Sequence, residues 1–276
     1  MNEHEHEHED ENEDSKQEAS ATTMDALTDI KLPSTVLVCA KRNQGKSYMV
    51  QSLVYNWLKS GRMNSHNIIL FSSTSATNDE YSWLPPENRR YGYDEVLLKQ
   101  VIQWQKRRIL LMKKKATTAN VKVTLKGILI IIDDVLTSSG KNNHVFSPTL
   151  KYLFCQSRHF AISIVFCSQL AKVIASPTIK SQSDYILVSQ LSAEQLKAVY
   201  YVTSGFKNVR EFQSRVASLE DHTFLLYDTL KTKGIRWSEV RATGFNGGRF
   251  RLTYKNHKQQ HGKAKNKKDE KKEEKQ

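Results

Sequence analysis

The fold is decided by residues 34–50, whose sequence is STVLVCAKRNQGKSYMV. The first part, residues 34–40, is a short apolar run rich in valine, which predicts a buried β-strand. From residue 46 to residue 60, apolar residues recur at the spacing of one helical face, and Gly61 is well placed to end this helix. A buried strand that leads through a basic turn into a helix is typical of α/β proteins.

The turn between this strand and this helix, AKRNQGKS at residues 40–47, matches the phosphate-binding pattern GxxxxGK[ST] except for alanine at the first glycine. In this pattern successive backbone N–H groups surround the β- and γ-phosphates at a helix N-terminus, where the helix dipole favours anions. Gly45 allows close approach of the backbone, Lys46 supplies a charge to the phosphates and Ser47 supplies a hydroxyl to Mg²⁺. We therefore expect ATP and Mg²⁺ as ligands. The residues expected to contact the nucleotide are Ala40, Lys41, Arg42, Asn43, Gln44, Gly45, Lys46, Ser47 and Tyr48.

Two acidic residues follow a second buried strand, KGILIIIDD at residues 126–134. The carboxyl ends of parallel strands face the crevice where ligands bind in α/β proteins. We therefore expect Asp133 to hold Mg²⁺ through its water shell and Asp134 to polarise the attacking water. A helix cap or a turn is the alternative interpretation of paired acids after a strand.

A third apolar strand is predicted at residues 161–169, and it ends in polar residues. In P-loop ATPases with an extra strand between the phosphate-binding strand and the acidic strand, a polar residue at this end senses the γ-phosphate. Gln169 is the candidate, and an ordinary strand-terminating residue is the alternative.

Arg158, shortly before this strand, is the candidate arginine that neutralises charge on the transferred phosphoryl group across a subunit boundary. Arg210 and Arg215 are the rival candidates, and a solvated surface charge is the remaining alternative.

The remaining apolar segments complete an alternation of strands and helices. Further strands are predicted at residues 66–73, 183–190, 222–228 and 235–240, and further helices at residues 94–115, at residues 146–158 and after Ser192, which forms a capping box with Gln195. The last two strands are expected to form a hairpin around Lys233-Gly234. The predicted fold is therefore an α/β P-loop NTPase with three layers, in which helices cover both faces of a mostly parallel sheet that ends in a C-terminal β-hairpin.

The charge of the chain is unevenly distributed. The net charge is +13, and because residues 1–20 carry −8 and residues 251–276 carry +6, residues 21–250 carry +15. A body this basic indicates a polyanionic partner, either nucleic acid or a membrane surface. We expect residues 1–24 and 249–276 to be disordered charged tails on either side of one ATPase domain at residues 25–248.

Composition and motif context exclude several classes of protein. No apolar run approaches the ~20 residues that span a bilayer, and the acidic N-terminus is unlike a secretory signal. The three cysteines lack metal-type spacing, which favours a reducing compartment without disulfides or structural zinc. A guanine-reading NKxD match at residues 266–269 lies in a low-complexity tail instead of following a strand, so a GTPase is not expected. A small-molecule kinase is disfavoured because no arginine-rich lid follows the phosphate-binding turn.

Three stretches in this order, AKRNQGKS, ILIIIDDV and QSRHFAISIVFCSQ, resemble the poxvirus-type genome-packaging ATPases. These belong to the FtsK/HerA class shared by large DNA viruses, virophages and Polinton-like elements, and the resemblance runs from about Leu32 to Val240. It implies a ring-forming homo-oligomeric motor that hydrolyses ATP to move double-stranded DNA into preformed capsids. It further implies capsid or portal-vertex proteins as partners, no membrane partner, and the virion or the host-cell cytoplasm as location. The family roles fall on Lys46, Ser47, Asp133, Asp134, Gln169 and Arg158.

Two other functions stay open at this point. One is a DNA-stimulated ATPase of repair, recombination or DNA mobilisation, and the other is a nucleotide-binding scaffold that does not hydrolyse ATP. The paired acids argue against the scaffold, because nucleotide binding alone does not require a carboxylate that activates water. Stimulation of ATP hydrolysis by capsid or portal components would separate packaging from repair.

Overall fold

The computed structural model of the chain describes residues 25–74, 79–120, 126–133, 147–169, 176–203, 205–231 and 236–242. The two predicted tails, the turn at Lys233-Gly234 and Asp134 lie outside the described residues. Within the described residues, the structure contains no helix with the length and apolar character needed to cross a bilayer. The boundaries of the ATPase domain stay a prediction.

Helices and strands alternate along most of the chain. The helices are α1 (Asp25–Thr28), α2 (Lys46–Lys59), α3 (Glu95–Ala119), α4 (Pro148–Gln156), α5 (Pro177–Gln182), α6 (Ala193–Tyr200) and α7 (Val209–Ala217). The strands are β1 (Thr35–Cys39), β2 (Ile68–Ser72), β3 (Arg89–Tyr91), β4 (Ile128–Asp133), β5 (Ile162–Ser168), β6 (Tyr185–Val188), β7 (Thr223–Asp228) and β8 (Trp237–Arg241). Short 3₁₀ helices lie at Ser65–Asn67, Asp79–Tyr81, Pro86–Asn88 and Ser157–Phe160.

The described strands form one eight-stranded sheet in the order β3-β2-β4-β5-β1-β6-β7-β8. All pairs from β3 to β6 are parallel, and β7 and β8 are added as an antiparallel hairpin. The predicted mostly parallel sheet and its C-terminal hairpin are therefore confirmed. Strand β5 lies between β1 and β4, as expected for a P-loop ATPase with an inserted strand.

Helices cover both faces of the sheet. In β4, Ile130 and Ile132 belong to an apolar cluster that also contains residues of α3 to α7. Between them, Ile131 belongs to a second cluster formed with α1, α2 and the segment at residues 81–84. Because successive residues of a strand point to opposite faces, one continuous apolar strand supplies both cores. The molecule therefore has the predicted three layers.

The helix ends follow the local sequence signals in two cases. Helix α2 ends at Lys59, and Gly61 adopts φ 70° in the turn that follows. Helix α6 begins with the predicted capping box, in which Ser192 Oγ accepts the Gln195 N–H and the Gln195 side chain accepts the Ser192 N–H. Both predicted ends are confirmed.

Other elements were not predicted. Strand β3 is a three-residue strand of sequence RRY that, among the described strands, pairs only with β2 at the edge of the sheet, and it is too short to show an alternating pattern. Helix α3 continues four residues beyond the predicted end, because the basic run at residues 113–115 does not end it. Asn120, in the left-handed conformation with φ 49°, is its C-cap.

A buried carboxylate joins three strands at the amino-terminal edge of the parallel sheet. Asp184 directly precedes β6, accepts the backbone N–H of Thr35 in β1 at 2.8 Å and pairs with Nη1 of Arg158 at 2.9 Å. Arg158 lies in the 3₁₀ helix before β5. Burial raises the pKa of Asp184, while the Thr35 amide and the Arg158 guanidinium oppose that rise. This edge is opposite to the one that carries the phosphate-binding turn.

We expect Arg158→Ala to lower the melting temperature, because it leaves the Asp184 carboxylate buried without its cation. Because the Arg158 side chain is 42% exposed, water can replace part of this contact, and the loss should lie in the lower part of the range of about 1–3 kcal/mol for a buried polar group that loses a partner. That corresponds to several degrees in a domain of this size. Arg210→Ala, which removes an exposed arginine, is the control. Thermal unfolding at pH 7 measures both variants, and equal melting temperatures would contradict a structural role for Arg158.

Candidate active site

The phosphate-binding turn follows β1 at the carboxyl edge of the sheet. Ala40 is fully buried beneath the turn and is not among the residues with positive φ, so glycine is not required there. The left-handed conformations fall instead on Asn43, with φ 62°, and on Gly45, with φ 80°. The N–H of Lys41 donates to the carbonyl of Gln190 after β6 at 2.8 Å. The turn is therefore fastened to the neighbouring strand.

The start of α2 provides an anion-binding N-terminus. Gly45 is the N-cap and has no side chain to accept the first N–H groups, and the first turn contains no acidic residue. Lys46 is 8% exposed, and its Nζ donates to the carbonyl of Lys41 at 3.1 Å. Unsatisfied N–H groups, the positive end of the helix dipole and one ammonium group converge here. This arrangement suits a phosphate chain.

Asp133 is the last residue of β4, and its side chain lies beside this helix. One carboxylate oxygen, Oδ2, accepts the Ser47 hydroxyl at 3.4 Å and the Tyr81 hydroxyl at 2.8 Å. Burial raises the pKa of Tyr81, and the neighbouring Asp133 raises it further. The phenol therefore stays protonated and donates to Asp133 throughout the physiological range. The carboxylate of Asp133 is 3% exposed and is satisfied by these hydroxyl groups.

Gln169 follows β5 and faces the same opening. Its carbonyl accepts a hydrogen bond from Nε2 of Gln195 in α6. The backbone after β5 is therefore held by the same glutamine that forms the capping box of α6.

Two free thiols flank the site: Cys39 ends β1, and Cys167 pairs in register with Asp133. Burial raises the pKa of both thiols. They are therefore neutral neighbours of the site and not nucleophiles.

The phosphate-binding turn and the ends of β4 and β5 border a pocket of about 640 Å³. The phosphate-binding turn and the start of α2 contribute Arg42, Asn43, Gly45, Lys46, Ser47 and Tyr48, and the rest of the chain contributes Ser73, Thr74, Glu80, Asp133, Gln169 and His222. The predicted residues Lys46, Ser47, Asp133 and Gln169 are thus brought together. Within the described residues, the structure has no cluster of three or more His, Cys, Asp or Glu side chains that could hold a metal. Ser47 Oγ and Asp133 Oδ2, which lie 3.4 Å apart, are two oxygen donors that would suit Mg²⁺, since this ion commonly takes one or two protein oxygens and completes its shell with water and phosphate.

The structure separates some predicted residues from this pocket. Ala40, Lys41 and Gln44 belong to the turn but do not line the pocket. Asp134 lies outside the described residues, so its role stays a prediction. Arg158 is at the opposite edge of the sheet, so it does not reach the pocket of its own chain.

The arginine that acts across a subunit boundary stays a prediction. The rival candidate Arg215 forms an ion pair with Glu239 of β8. The other rival, Arg210, lies exposed on α7.

Four residues that line the pocket were missed by the sequence analysis, namely Ser73, Thr74, Glu80 and His222, as was Tyr81, which donates to Asp133. Glu80 and Tyr81 belong to the 3₁₀ helix at Asp79–Tyr81, whose position is fixed by Trp83 Nε1 and Gln51 Nε2, which both donate to the Glu80 carbonyl. His222 precedes β7 at the far side of the phosphate-binding turn. No motif or spacing marks Glu80, Tyr81 and His222, because only the sheet order brings them to the site.

The comparisons with known proteins agree with this fold. No protein-family model matches the chain. An uncharacterized protein of Acanthamoeba polyphaga mimivirus is 26% identical over 227 residues, which cover 78% of this chain and 75% of that protein. The sulfate-bound genome-packaging NTPase B204 of Sulfolobus turreted icosahedral virus 2 superposes with a TM-score of 0.50 at 17% identity, over 78% of this chain and 99% of that chain.

A second solved structure with the same fold is that of a conjugation coupling protein. The pCW3 conjugation coupling protein TcpA, solved as a monomer with ATPγS, superposes with a TM-score of 0.53 at 15% identity. The match covers 79% of this chain and 62% of that chain. At these identities the comparisons establish the fold, which is that of the P-loop NTPases. The resemblance to viral genome-packaging ATPases is therefore confirmed at the level of the fold.

We expect Tyr81→Phe to weaken Mg²⁺ binding, so that nucleotide binding requires more Mg²⁺, because Asp133 then loses the hydroxyl that orients it. Groups that orient a metal-side ligand typically change metal affinity by about tenfold or more. The measurement is the Mg²⁺ concentration that half-saturates ADP binding, determined by calorimetry. Tyr93→Phe is the matched control, since Tyr93 donates or accepts a hydroxyl hydrogen bond with Ser147 at 2.9 Å, away from Asp133. Unchanged Mg²⁺ dependence in Tyr81→Phe would overturn the positioning role.

Proposed function

We propose that this chain is an ATP-hydrolysing motor that moves double-stranded DNA into preformed capsids. The contact between Ser47 Oγ and Asp133 Oδ2 at 3.4 Å carries the ATPase part. It places the hydroxyl of the phosphate-binding helix against the strand acid, inside the pocket that Lys46 and Gln169 also line. A phosphate-binding turn beside such an acid is the arrangement that P-loop NTPases use for phosphoryl transfer.

The residues divide the work by position. Lys46 and the N–H groups of α2 bind the phosphate chain, and Ser47 and Asp133 would hold Mg²⁺. The ion, when bound, neutralises charge on the phosphates and fixes their orientation. Asp134 polarises the attacking water, and Gln169 contacts the γ-phosphate from the end of β5. A scaffold that only binds nucleotide would not require the roles given to Asp134 and Gln169.

The two central roles can be separated by mutation. Lys46→Ala should weaken ATP binding and abolish turnover, because Lys46 meets the ground-state phosphates. Asp134→Asn should keep ATP binding and reduce turnover by about 10²–10⁴-fold, the range for a positioned general base. Calorimetry with ATP and a phosphate-release assay measure the two effects. ATP hydrolysis by Asp134→Asn near the parental rate would show that another residue activates the water.

Charge and fold support DNA as the polymer that is moved. Residues 21–250 carry +15, and α3 alone carries seven Lys and Arg residues against one acid among its 25 residues. Its last turns, residues 110–118, contain no buried residue, so this basic end projects from the body. The same fold occurs in the packaging NTPase B204. Basic surfaces of this kind contact the phosphate backbone without reading sequence.

A second candidate function is favoured by the conjugation coupling protein with the same fold. In that case the chain would be a DNA-stimulated ATPase of DNA mobilisation, with the same site and the same polymer. The difference lies in the protein that recruits the motor. Capsid or portal-vertex proteins should stimulate ATP hydrolysis by a packaging motor, whereas they should leave a mobilisation ATPase unchanged.

The projecting end of α3 gives a quantitative test of DNA binding. Replacing Lys113, Lys114 and Lys115 with glutamine should reduce the slope of log affinity against log salt by about 2.7, or 0.9 for each lost phosphate contact. Replacing Lys197, Lys207 and Lys231, which are exposed on other parts of the surface, is the charge-matched control. Fluorescence anisotropy with a duplex of random sequence measures both slopes. An equal change in the two triple variants would show that this end of α3 contacts DNA no more than other exposed lysines do, which would contradict the proposed docking of DNA there.

A further inference from the structure

The sheet order gives the pocket two unlike sides. Asp133 ends β4 and Gln169 follows β5, and both strands lie on one side of β1. His222 directly precedes β7, which lies on the other side of β1 beyond β6. The phosphate-binding turn runs between these sides, because it follows β1 itself. A ligand held on the turn therefore has acidic and amide groups at one end and an imidazole at the other.

The imidazole of His222 is set against the phosphate-binding turn. A Cβ placed on Gly45 would lie 2.6 Å from Nδ1 of His222, so the two residues approach as closely as glycine allows. The His222 ring is also 5.1 Å from the ring of Tyr48, tilted by 55°. Both residues line the pocket. His222 and Tyr48, here called the aromatic wall, thus form its boundary on the β7 side.

The backbone holds His222 in this position. His222 has φ 61°, which is uncommon for a residue with a side chain. Its carbonyl accepts the N–H of Ala242 after β8 at 2.9 Å, so the C-terminal hairpin fixes the conformation. Left-handed conformations of this kind cost energy and cluster at ligand sites. The hairpin therefore contributes to the pocket as well as to the sheet.

We propose that the aromatic wall of His222 and Tyr48 is the subsite for the base of the bound nucleoside triphosphate. This inference rests on the proposed ATPase function, which directs the γ-phosphate towards Asp133 and Gln169. Since the phosphate chain lies along the turn, the sugar and base leave it in the opposite direction, towards the β7 side. There they meet aromatic ring faces, which stack on a nucleobase and contribute little to a bare phosphate.

The inference is tested by comparing a ligand that has a base with one that lacks it. ATP and inorganic tripolyphosphate, each with Mg²⁺, are titrated against the full chain by calorimetry. His222→Asn removes the ring while asparagine tolerates the left-handed conformation, and His222→Phe restores an aromatic face. We expect His222→Asn to weaken ATP binding roughly 5- to 150-fold, the range for loss of one stacking contact. Tripolyphosphate binding should not change, and His222→Phe should recover most of the affinity for ATP.

The other outcomes overturn the inference in distinguishable ways. If His222→Asn weakens ATP and tripolyphosphate equally, His222 supports the phosphate-binding turn through Gly45 and does not contact the base. If neither ligand is affected while the parental chain binds ATP, the base lies elsewhere and the proposed ATPase function stands. If the parental chain binds neither ligand, or Lys46→Ala binds both as the parental chain does, the proposed function itself fails and the base subsite fails with it.

Discussion

The site depends on one carboxylate oxygen of Asp133, Oδ2, which accepts hydrogen bonds from both the Ser47 and the Tyr81 hydroxyl groups. A carboxylate that is 3% exposed loses its hydration and requires donors from the protein. The donors come from the start of α2 and from the 3₁₀ helix at residues 79–81, and the acceptor comes from the end of β4. The phosphate-binding helix, the acidic strand and the segment after β2 are therefore fixed relative to one another. The pocket beside Lys46 exists because these three elements converge.

The two edges of the parallel sheet have different tasks. The carboxyl edge carries the phosphate-binding turn and the polar ends of β4 and β5. The amino edge carries Asp184, which joins β1, the 3₁₀ helix before β5 and the start of β6 through Thr35 and Arg158. In sequence, Arg158 is close to Gln169, but a seven-residue strand separates them by roughly 23 Å. The short distance in sequence between Arg158 and Gln169 therefore does not place Arg158 near the pocket.

The sequence predicted those parts of the site that depend on local structure. The phosphate-binding turn, the acid Asp133 at the end of β4 and the polar end of β5 each belong to the carboxyl end of an apolar strand, which faces the ligand crevice. Tyr81 and His222 could not be found in this way. Tyr81 reaches Asp133 only because β2 lies next to β4, and His222 reaches Gly45 only because the hairpin is added beyond β6. Sheet order is a property of the whole chain, and no pattern around either residue encodes it.

Strand β3 shows the same limit for the fold. Its three residues gain strand geometry from pairing with β2, and their own sequence has no strand signal. The long apolar strands were predictable because burial on both faces requires continuous apolar residues. An edge strand has no such requirement.

The most direct test of the account is an experimental structure of the chain with Mg²⁺ and a non-hydrolysable ATP analogue. The account predicts the metal between Ser47 and Asp133, the γ-phosphate on the side of Gln169 and the base against His222. A nucleotide bound in the reverse direction, with its base beside Asp133, would contradict it. So would a metal ion held away from both Ser47 and Asp133.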